Sequence, residues 1–201
     1  MSKLNNNNIQ KNIEGLDKKF LDDYWSRYQN ILFDSRDDET ILTLRNAIKD
    51  IHQKKGKLIF IGNGASASLA SHAATDFTKQ AKIQSIAFND HNLITALSND
   101  YGYENWVSKA LEFYSNPIDM IIFISVSGES ANLLKGLEYA KENSICTASL
   151  TGSDSMNSLR TNSKYSLWVN SKAYNIVESI HTIWITLIID LFVGTPDYSV
   201  N

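Results

Sequence analysis

The feature that most constrains the fold is a series of five short apolar runs separated by segments of helical periodicity. The runs are KLIFI (57–61), IQSIAF (83–88), MIIFIS (120–125), ICTASL (145–150) and YSLWV (165–169). Continuous apolar runs of this length are typical of strands that are covered on both faces. Because strands and helical segments alternate, the sequence predicts an α/β fold in which helices flank a parallel, doubly wound, five-stranded sheet.

Helices are predicted both before and after this alternating region. Apolar residues recur at helical spacing between residues 16 and 32, which indicates an amphipathic helix. A second helix follows, with Asp37 or Asp38 as its N-cap and Gly56 placed to end it. The last helix is predicted to run roughly over 174–193.

The chain length fits one domain. Its 201 residues contain only 2 prolines and no Gly/Ser-rich linker, so no domain boundary is visible. We expect a frayed N-terminus over 1–14, N-terminal helices over 15–56 and an α/β core over 57–196, all within one domain.

Charge and apolar patterning exclude two classes of partner. The 22 acidic residues outnumber the 19 Lys and Arg, and no basic run suggests contact with a nucleic-acid backbone. The N-terminus lacks the apolar stretch of a secretory signal, and the run LIIDLFVG is interrupted by Asp190. We therefore expect a cytoplasmic protein that binds neither nucleic acid nor a membrane.

Two strand-to-helix turns carry the candidate ligand-binding residues. GNGASAS (62–68) follows the first apolar run, and VSGESAN (126–132) follows the third. Ligands of parallel sheets collect beyond the carboxyl ends of the strands, where helix N-termini offer free N–H groups to anions. Ser125, Ser127 and Ser130 add hydroxyl donors, so the two turns together indicate an anion site.

Each turn also has a simpler interpretation. Gly and Ser at such a position serve equally well for bending and for capping the next helix. A nucleotide site is disfavoured, because GNGASA lacks the third Gly of the dinucleotide fingerprint and no P-loop Lys follows.

Four ordered blocks resemble a known family, the SIS-domain phosphosugar isomerases, and within it the phosphoheptose (sedoheptulose 7-phosphate) isomerase branch. The blocks are IGNGASASLASHAATDF, AFNDHNLITALSNDYGYENWVSKAL, ISVSGESANLLKGLEYAKENSI with the following SLTG, and VESIHTIWITLII. The resemblance implies a homotetramer with active sites at subunit boundaries. It also implies that both Ser-rich loops hold the phosphate of a sugar phosphate and that an Asn-Asp pair lies near the sugar. The matching residues are Ser125, Ser127, Ser130, Asn63, Gly64, Ser66, Asn99 and Asp100.

The chain departs from the family pattern at two acid/base positions. The first active-site helix of the family carries a His and, four residues later, a Glu that serves as acid/base and metal ligand. The matching residues here are His72 and Asp76, and Asp shortens the reach of the carboxylate by one methylene. An alternative for this pair is a local ion pair without a catalytic role.

The last helix departs at a metal-binding position. The family carries a Gln, then a His three residues on, then a zinc-binding His five residues further, and Glu178, His181 and Thr186 match them. Because Thr is a poor zinc ligand, we expect no cofactor and no metal, although the resemblance makes zinc possible.

The resemblance favours an aldose-ketose isomerase of a phosphorylated sugar, most simply a heptose phosphate, that supplies surface polysaccharide precursors. Such a reaction moves a proton between neighbouring carbons through an enediolate, and Glu178 is the preferred base, with His181 assisting. His72 and Asp76 are the second choice. The alternative is a non-catalytic regulatory protein of the same fold, similar to the DnaA-initiator-associating proteins, which Asp76 and Thr186 would suit.

Overall fold

The computed structural model describes the backbone of residues 2–198 and the side chains of residues 15–198. The chain separates into two compact units, one ending at Arg36 and one starting at Asp37. The first unit is a single long helix, α1 (Ser2–Asp34), so residues 2–14, expected to form a frayed end, are its first turns. Its exposed side chains include Phe20 and Trp25.

The second unit contains all five strands and the remaining helices of the described residues. In chain order these are α2 (Asp38–Gln53), β1 (Leu58–Gly62), α3 (Ala65–Lys79), β2 (Ser85–Ala87), α4 (His91–Tyr101), α5 (Trp106–Tyr114), β3 (Met120–Ser125), α6 (Ala131–Glu142), β4 (Cys146–Thr151), α7 (Ser158–Asn162), β5 (Tyr165–Trp168) and α8 (Tyr174–Val193). The second helix therefore belongs with the sheet and not with the first helix.

The sheet is parallel throughout, in the order β2-β1-β3-β4-β5. This confirms the predicted α/β fold with five parallel strands. Strands β1 and β3 are buried along their whole length, which explains why they appear in the sequence as unbroken apolar runs.

One core cluster fills the space between the sheet and helices α4 to α7. It joins Ile59 and Phe123 of the sheet to Trp106 of α5 and Leu133 of α6. On the opposite face, Phe60 of β1 stacks on Phe77 of α3 with ring centroids 5.4 Å apart. Each such side chain contributes about 1.5–3 kcal/mol by leaving water, so both faces hold the sheet in place.

The two ends of helix α2 show how local sequence places them. Asp37 caps α2, since its Oδ1 accepts a hydrogen bond from the Thr40 N–H at 3.0 Å. Gly56 does not supply the left-handed turn after α2, because Lys55 takes the positive φ of 66°. Gly56 is needed for space, since a Cβ there would lie 2.1 Å from the Ile118 carbonyl oxygen.

Helix α8 is the most apolar of the long helices in the second unit. It is long and apolar enough to cross a membrane by length and composition alone. Its residues Ile176, Ile180, Trp184 and Ile188 are nevertheless buried within the unit. It covers the predicted range 174–193 and is closed by Gly194, which adopts the left-handed conformation at φ 91°.

Candidate active site

The site lies where the strand order reverses, between β1 and β3. From β1 the chain crosses to β2 on one side, and from β3 it crosses to β4 on the other, which opens a crevice at the carboxyl ends of both strands. Since both Ser-rich turns directly follow these two strands, the sheet topology places them side by side.

The turn after β3, residues 125–130, presents three serine hydroxyl groups. The Gly128 N–H donates to Ser125 Oγ at 3.1 Å, and the Glu129 N–H donates to Ser127 Oγ at 3.3 Å. Ser130 is the N-cap of α6, but its hydroxyl makes no capping hydrogen bond. Within the described residues none of the three hydroxyl groups donates, so all three remain available to an anion.

The three serines line a small cavity of about 160 Å³. Asn63, Ser66, Tyr174 and Glu178 complete most of its polar wall. No Lys or Arg occurs among the described residues that line it. The N-termini of α3 and α6 open beside it, so an anion would be held by neutral donors and helix dipoles and not by opposite charge.

The turn after β1 supplies the other side of this cavity. Gly64 adopts a positive φ of 57° as the N-cap of α3, which lets the chain turn sharply into the helix. Ser66 is 5% exposed. The Asn63 amide pairs reciprocally with the Asn132 amide, at 3.0 Å for each hydrogen bond.

A second, larger cavity of about 440 Å³ opens between α3 and α8. His72 of α3 and Glu178 and His181 of α8 line it. Ser66 and Glu178 line both cavities, which therefore share a wall. A ligand whose anionic end lies among the serines would extend past the Glu178 carboxylate into the larger space.

His72 and Asp76 form a hydrogen-bonded pair. His72 Nε2 lies 2.9 Å from Asp76 Oδ2, and the His72 side chain is 57% exposed. His72 lines the larger cavity, whereas Asp76 lines neither cavity. The structure thus places the Asp76 carboxylate as the partner that orients His72.

His181 occupies a different environment from the other three acid/base residues. It is fully buried, and its Nε2 lies 3.1 Å from the Thr151 carbonyl oxygen. Burial lowers the pKa of His181 to about 4, and the hydrogen bond to Thr151 offsets this only in part. A carbonyl only accepts, so Nε2 carries the proton and the ring is neutral, which makes His181 a poor proton donor.

Asn99 and Asp100 are not brought to the site. Both are exposed near the end of α4, where Asn99 Nδ2 donates to Asp100 Oδ1 at 3.0 Å, and neither lines either cavity. The loop after α4 contributes Tyr103 instead, whose hydroxyl donates to Asn63 Oδ1 at 3.4 Å. The Asn-Asp pair turns away because helical spacing puts it on the solvent side of α4.

The residues that match the family's metal ligands do not fit a zinc ion. Thr186 Oγ1 donates to the carbonyl oxygens of Thr182 and Ile183, at 3.0 and 3.1 Å. His72 is already paired with Asp76. In the part of the chain that the structure describes, no three His, Cys, Asp or Glu side chains are grouped to hold a metal.

Sequence reasoning missed several residues around the cavities. Asn132 follows Ser130 by two positions, and Tyr174 opens the last helix, but neither was selected as a site residue. Asn157 supports the serine turn from behind, since a Cβ on Gly128 would lie 2.0 Å from Asn157 Oδ1. Only the position of Asn132 in the first turn of α6 was a signal in the sequence.

The fold and its paired cavities define a parallel α/β domain with a candidate anion site where the strand order reverses. The family profile described as SIS domain matches residues 19–152. The chain belongs to the SIS-domain family. This confirms the resemblance found in the four sequence blocks.

Two curated relatives and one solved structure show which proteins the chain is similar to. The chain is 34% identical to a phosphoheptose isomerase of Helicobacter pylori strain P12 over 144 residues, covering 69% of this chain and 74% of that protein. It is 33% identical to a phosphoheptose isomerase of Fusobacterium nucleatum over 148 residues, covering 71% and 76%. The structure of phosphoheptose isomerase GmhA from Neisseria gonorrhoeae superposes with a TM-score of 0.81 at 23% identity, covering 87% of this chain and 98% of that one.

Proposed function

We propose that the protein is an aldose-ketose isomerase acting on a heptose phosphate. The relatives that share a third of its sequence over most of their length are phosphoheptose isomerases. The observation that carries the proposal is the position of Glu178, whose side chain lines both the serine-rich cavity and the larger cavity. A regulatory protein without catalysis is less favoured by these relatives.

The serine-rich cavity binds the phosphate in this proposal. Ser125, Ser127 and Ser130 donate to phosphate oxygens, with support from the N-termini of α3 and α6. The sugar chain then passes Glu178 and enters the larger cavity between α3 and α8. Fixing the phosphate end in this way places the carbonyl carbons at a constant distance from the carboxylate.

Glu178 is the base that moves the proton between the two carbons. It removes the proton from the carbon next to the carbonyl, forms an enediolate, and returns the proton to the former carbonyl carbon. The oxygens must exchange a proton in the opposite sense, because one carbonyl becomes a hydroxyl and the neighbouring hydroxyl becomes a carbonyl. His72, which Asp76 orients, is the group in the larger cavity suited to carry that proton.

His181 has a supporting role in this mechanism, which differs from the assisting role expected from the sequence. Its neutral ring bonds the end of β4 through the Thr151 carbonyl and stacks on Trp184 with ring centroids 5.9 Å apart. The stacking lies within α8, whereas the hydrogen bond to Thr151 joins α8 to β4 and so holds Glu178, one turn away, in place.

We further propose a metal-free, cytoplasmic homotetramer that supplies precursors of surface polysaccharides. The metal-free reaction is supported by Thr186, whose hydroxyl bonds its own helix. Assembly is supported by apolar side chains that are exposed on α1 and on α8, among them Trp25 at 64% and Leu187 at 40%.

Nuclear magnetic resonance of sugar phosphates tests the activity directly. Purified protein is incubated in D₂O with a panel of five- to seven-carbon sugar phosphates, with and without added zinc. We expect aldose-ketose exchange and deuterium incorporation at the carbon next to the carbonyl with a heptose phosphate, and no dependence on zinc. Binding of a sugar phosphate without any exchange would contradict the proposal and support the regulatory alternative.

A further inference from the structure

The side chain of Asn132 is committed to one partner. Asn132 is 2% exposed in the first turn of α6, directly behind the serine turn. Its Nδ2 donates to Asn63 Oδ1 and its Oδ1 accepts from Asn63 Nδ2, both at 3.0 Å. Asn132 does not line the serine-rich cavity, whereas Asn63 does. Any effect of Asn132 on a ligand therefore passes through Asn63.

The hydrogen-bonding capacity of Asn63 is largely used by this pairing. An amide oxygen accepts two hydrogen bonds, and Asn63 Oδ1 already accepts from Asn132 Nδ2 and from the Tyr103 hydroxyl at 3.4 Å. The Asn63 NH₂ group donates one of its two hydrogens to Asn132 Oδ1. Asn63 is thus left with a single N–H, which is a donor.

We propose that Asn132 is a positioning residue that fixes Asn63 as a hydrogen-bond donor and thereby selects an acceptor oxygen of the ligand. This inference rests on the proposed function, because the acceptor is an oxygen of the phosphate or of the adjacent sugar. It deepens that function by naming a side chain that presents a donor, and not an acceptor, to an oxyanion in a cavity whose described lining has no Lys or Arg. The pair also links the loops after β1 and β3, which lie 69 positions apart in the chain.

Without Asn132, the longer contact with the Tyr103 hydroxyl is the remaining side-chain hydrogen bond to Asn63, and the amide can turn its oxygen toward the ligand. An amide oxygen facing a phosphate oxygen is repulsive, and the freed amide pays more conformational entropy on binding. A buried Asn also becomes costly when its partner is removed, so the choice of substitution decides whether the fold survives.

The test is Asn132→Asp, measured by calorimetry with inorganic phosphate from about pH 8 to about pH 5. The ionised carboxylate has no donor for Asn63 Oδ1, so we expect phosphate affinity about tenfold or more below that of the unsubstituted protein at pH 8. Burial raises the pKa of such a carboxyl group, and the protonated acid restores one donor and one acceptor in the shape of Asn. We therefore expect the ratio of the two affinities to return toward one at pH 5.

Controls separate this effect from a loss of structure. Asn92→Asp makes the same change at an exposed position of α4, so its phosphate affinity should equal that of the unsubstituted protein at every pH. If Asn132→Asp does not fold at pH 8, Asn132→Ser removes the amide without adding charge and should weaken phosphate binding at every pH. Unchanged affinity of either folded variant overturns the proposal, as does a loss in Asn132→Asp that persists at pH 5.

Failure of the proposed function gives a different result. Because inorganic phosphate is the probe, these measurements do not need turnover. Should the unsubstituted protein bind phosphate but isomerise nothing, the isomerase proposal fails while the role of Asn132 is still tested. With an active protein, Asn132→Asp should raise KM far more than it lowers kcat, because it alters binding and not the proton transfer.

Discussion

At the residue scale, the proposed chemistry depends on one carboxylate between two cavities. Glu178 is half-buried on α8, and it is the acidic side chain that lines both spaces. Asp76 lines neither of them and is bonded to His72. In the proposed mechanism, this arrangement separates the base, Glu178, from a carboxylate that orients an imidazole.

Substitution of Glu178 by Gln should therefore lower turnover by about two to four orders of magnitude while phosphate binding persists. The amide keeps the size of the side chain but accepts no proton. Asp76→Asn should cost much less, since it removes only the orientation of His72. Rates are measured with the sugar phosphate that the resonance experiment identifies, and Glu142→Gln on the exposed face of α6 serves as the matched control. A larger loss of turnover in Asp76→Asn than in Glu178→Gln would make Asp76 the base instead of Glu178. A higher turnover in Asp76→Glu would support the same conclusion.

His181 predicts a pH dependence of stability. Its folded pKa of about 4 lies below the ordinary value of 6.5, so the unfolded chain binds the proton more tightly. Stability is therefore complete above about pH 6.5 and falls as the pH drops towards 4, by about 3 kcal/mol for this group alone. Urea unfolding between pH 7 and 4 measures the loss.

A pair of variants isolates the contribution of His181 to that slope. His181→Met fills a similar volume without a titratable group, so its free energy of unfolding should fall less between pH 7 and 4. His52→Gln, at an exposed histidine of α2, should lose as much stability over this pH range as the unsubstituted protein. Equal slopes for His181→Met and the unsubstituted protein would show that the buried imidazole does not control the acid transition.

At the scale of elements, the serine turn after β3 acts as one unit. Its shape is maintained from behind by the buried Asn157, by the Leu159 N–H donating to the Gly128 carbonyl at 3.1 Å, and by Glu129 accepting from the Ser158 N–H at 2.6 Å. These contacts do not use the serine hydroxyl groups. Removing the hydroxyls of Ser125 and Ser127 takes away the acceptors of the Gly128 and Glu129 N–H groups but leaves these other contacts in place, so it should weaken binding more than it destabilises the fold.

Replacing Ser125 and Ser127 together by Ala should weaken sugar-phosphate binding by about 3 kcal/mol, roughly a hundredfold. Each hydroxyl donates to a charged oxygen in the proposed complex, which makes it worth more than a neutral hydrogen bond. Calorimetry gives the affinity and thermal unfolding checks the fold. Ser155→Ala, at an exposed serine outside both cavities, is the control. If the double variant binds the sugar phosphate as tightly as the unsubstituted protein does, the phosphate does not bind at this turn.

At the scale of the whole molecule, exposed apolar side chains support the proposed assembly. Phe20, Trp25 and Phe33 of α1 are each more than 60% exposed, and Ile183, Leu187 and Leu191 form an exposed row at four-residue spacing on α8. Isolated apolar residues on a surface are ordinary, but a row along α8 together with several large apolar side chains on α1 favours the proposed contact with other copies.

Light scattering at micromolar concentration should give about four times the chain mass of 22.6 kDa. Substituting Phe20 and Trp25 by Lys should lower the mass, because charged side chains oppose burial of that face. A mass of one chain for the unsubstituted protein would exclude the proposed tetramer. Activity measured on the same samples shows whether assembly is needed for turnover.

The sequence by itself determined the elements whose causes are local. Short, largely apolar runs predicted all five strands, and Gly and Ser after two of them predicted the turns that the sheet brings together. Tertiary structure decided which side chains share a space. Asn63 and Asn132 pair across 69 positions of the chain. His181 is buried, although its spacing of three residues from Glu178 would equally suit two residues on an exposed helix face. Asn99 and Asp100 face away from the cavities. Periodicity specifies only a face of each helix, whereas the contacts of that face depend on how the sheet orders its strands and how each helix packs on it.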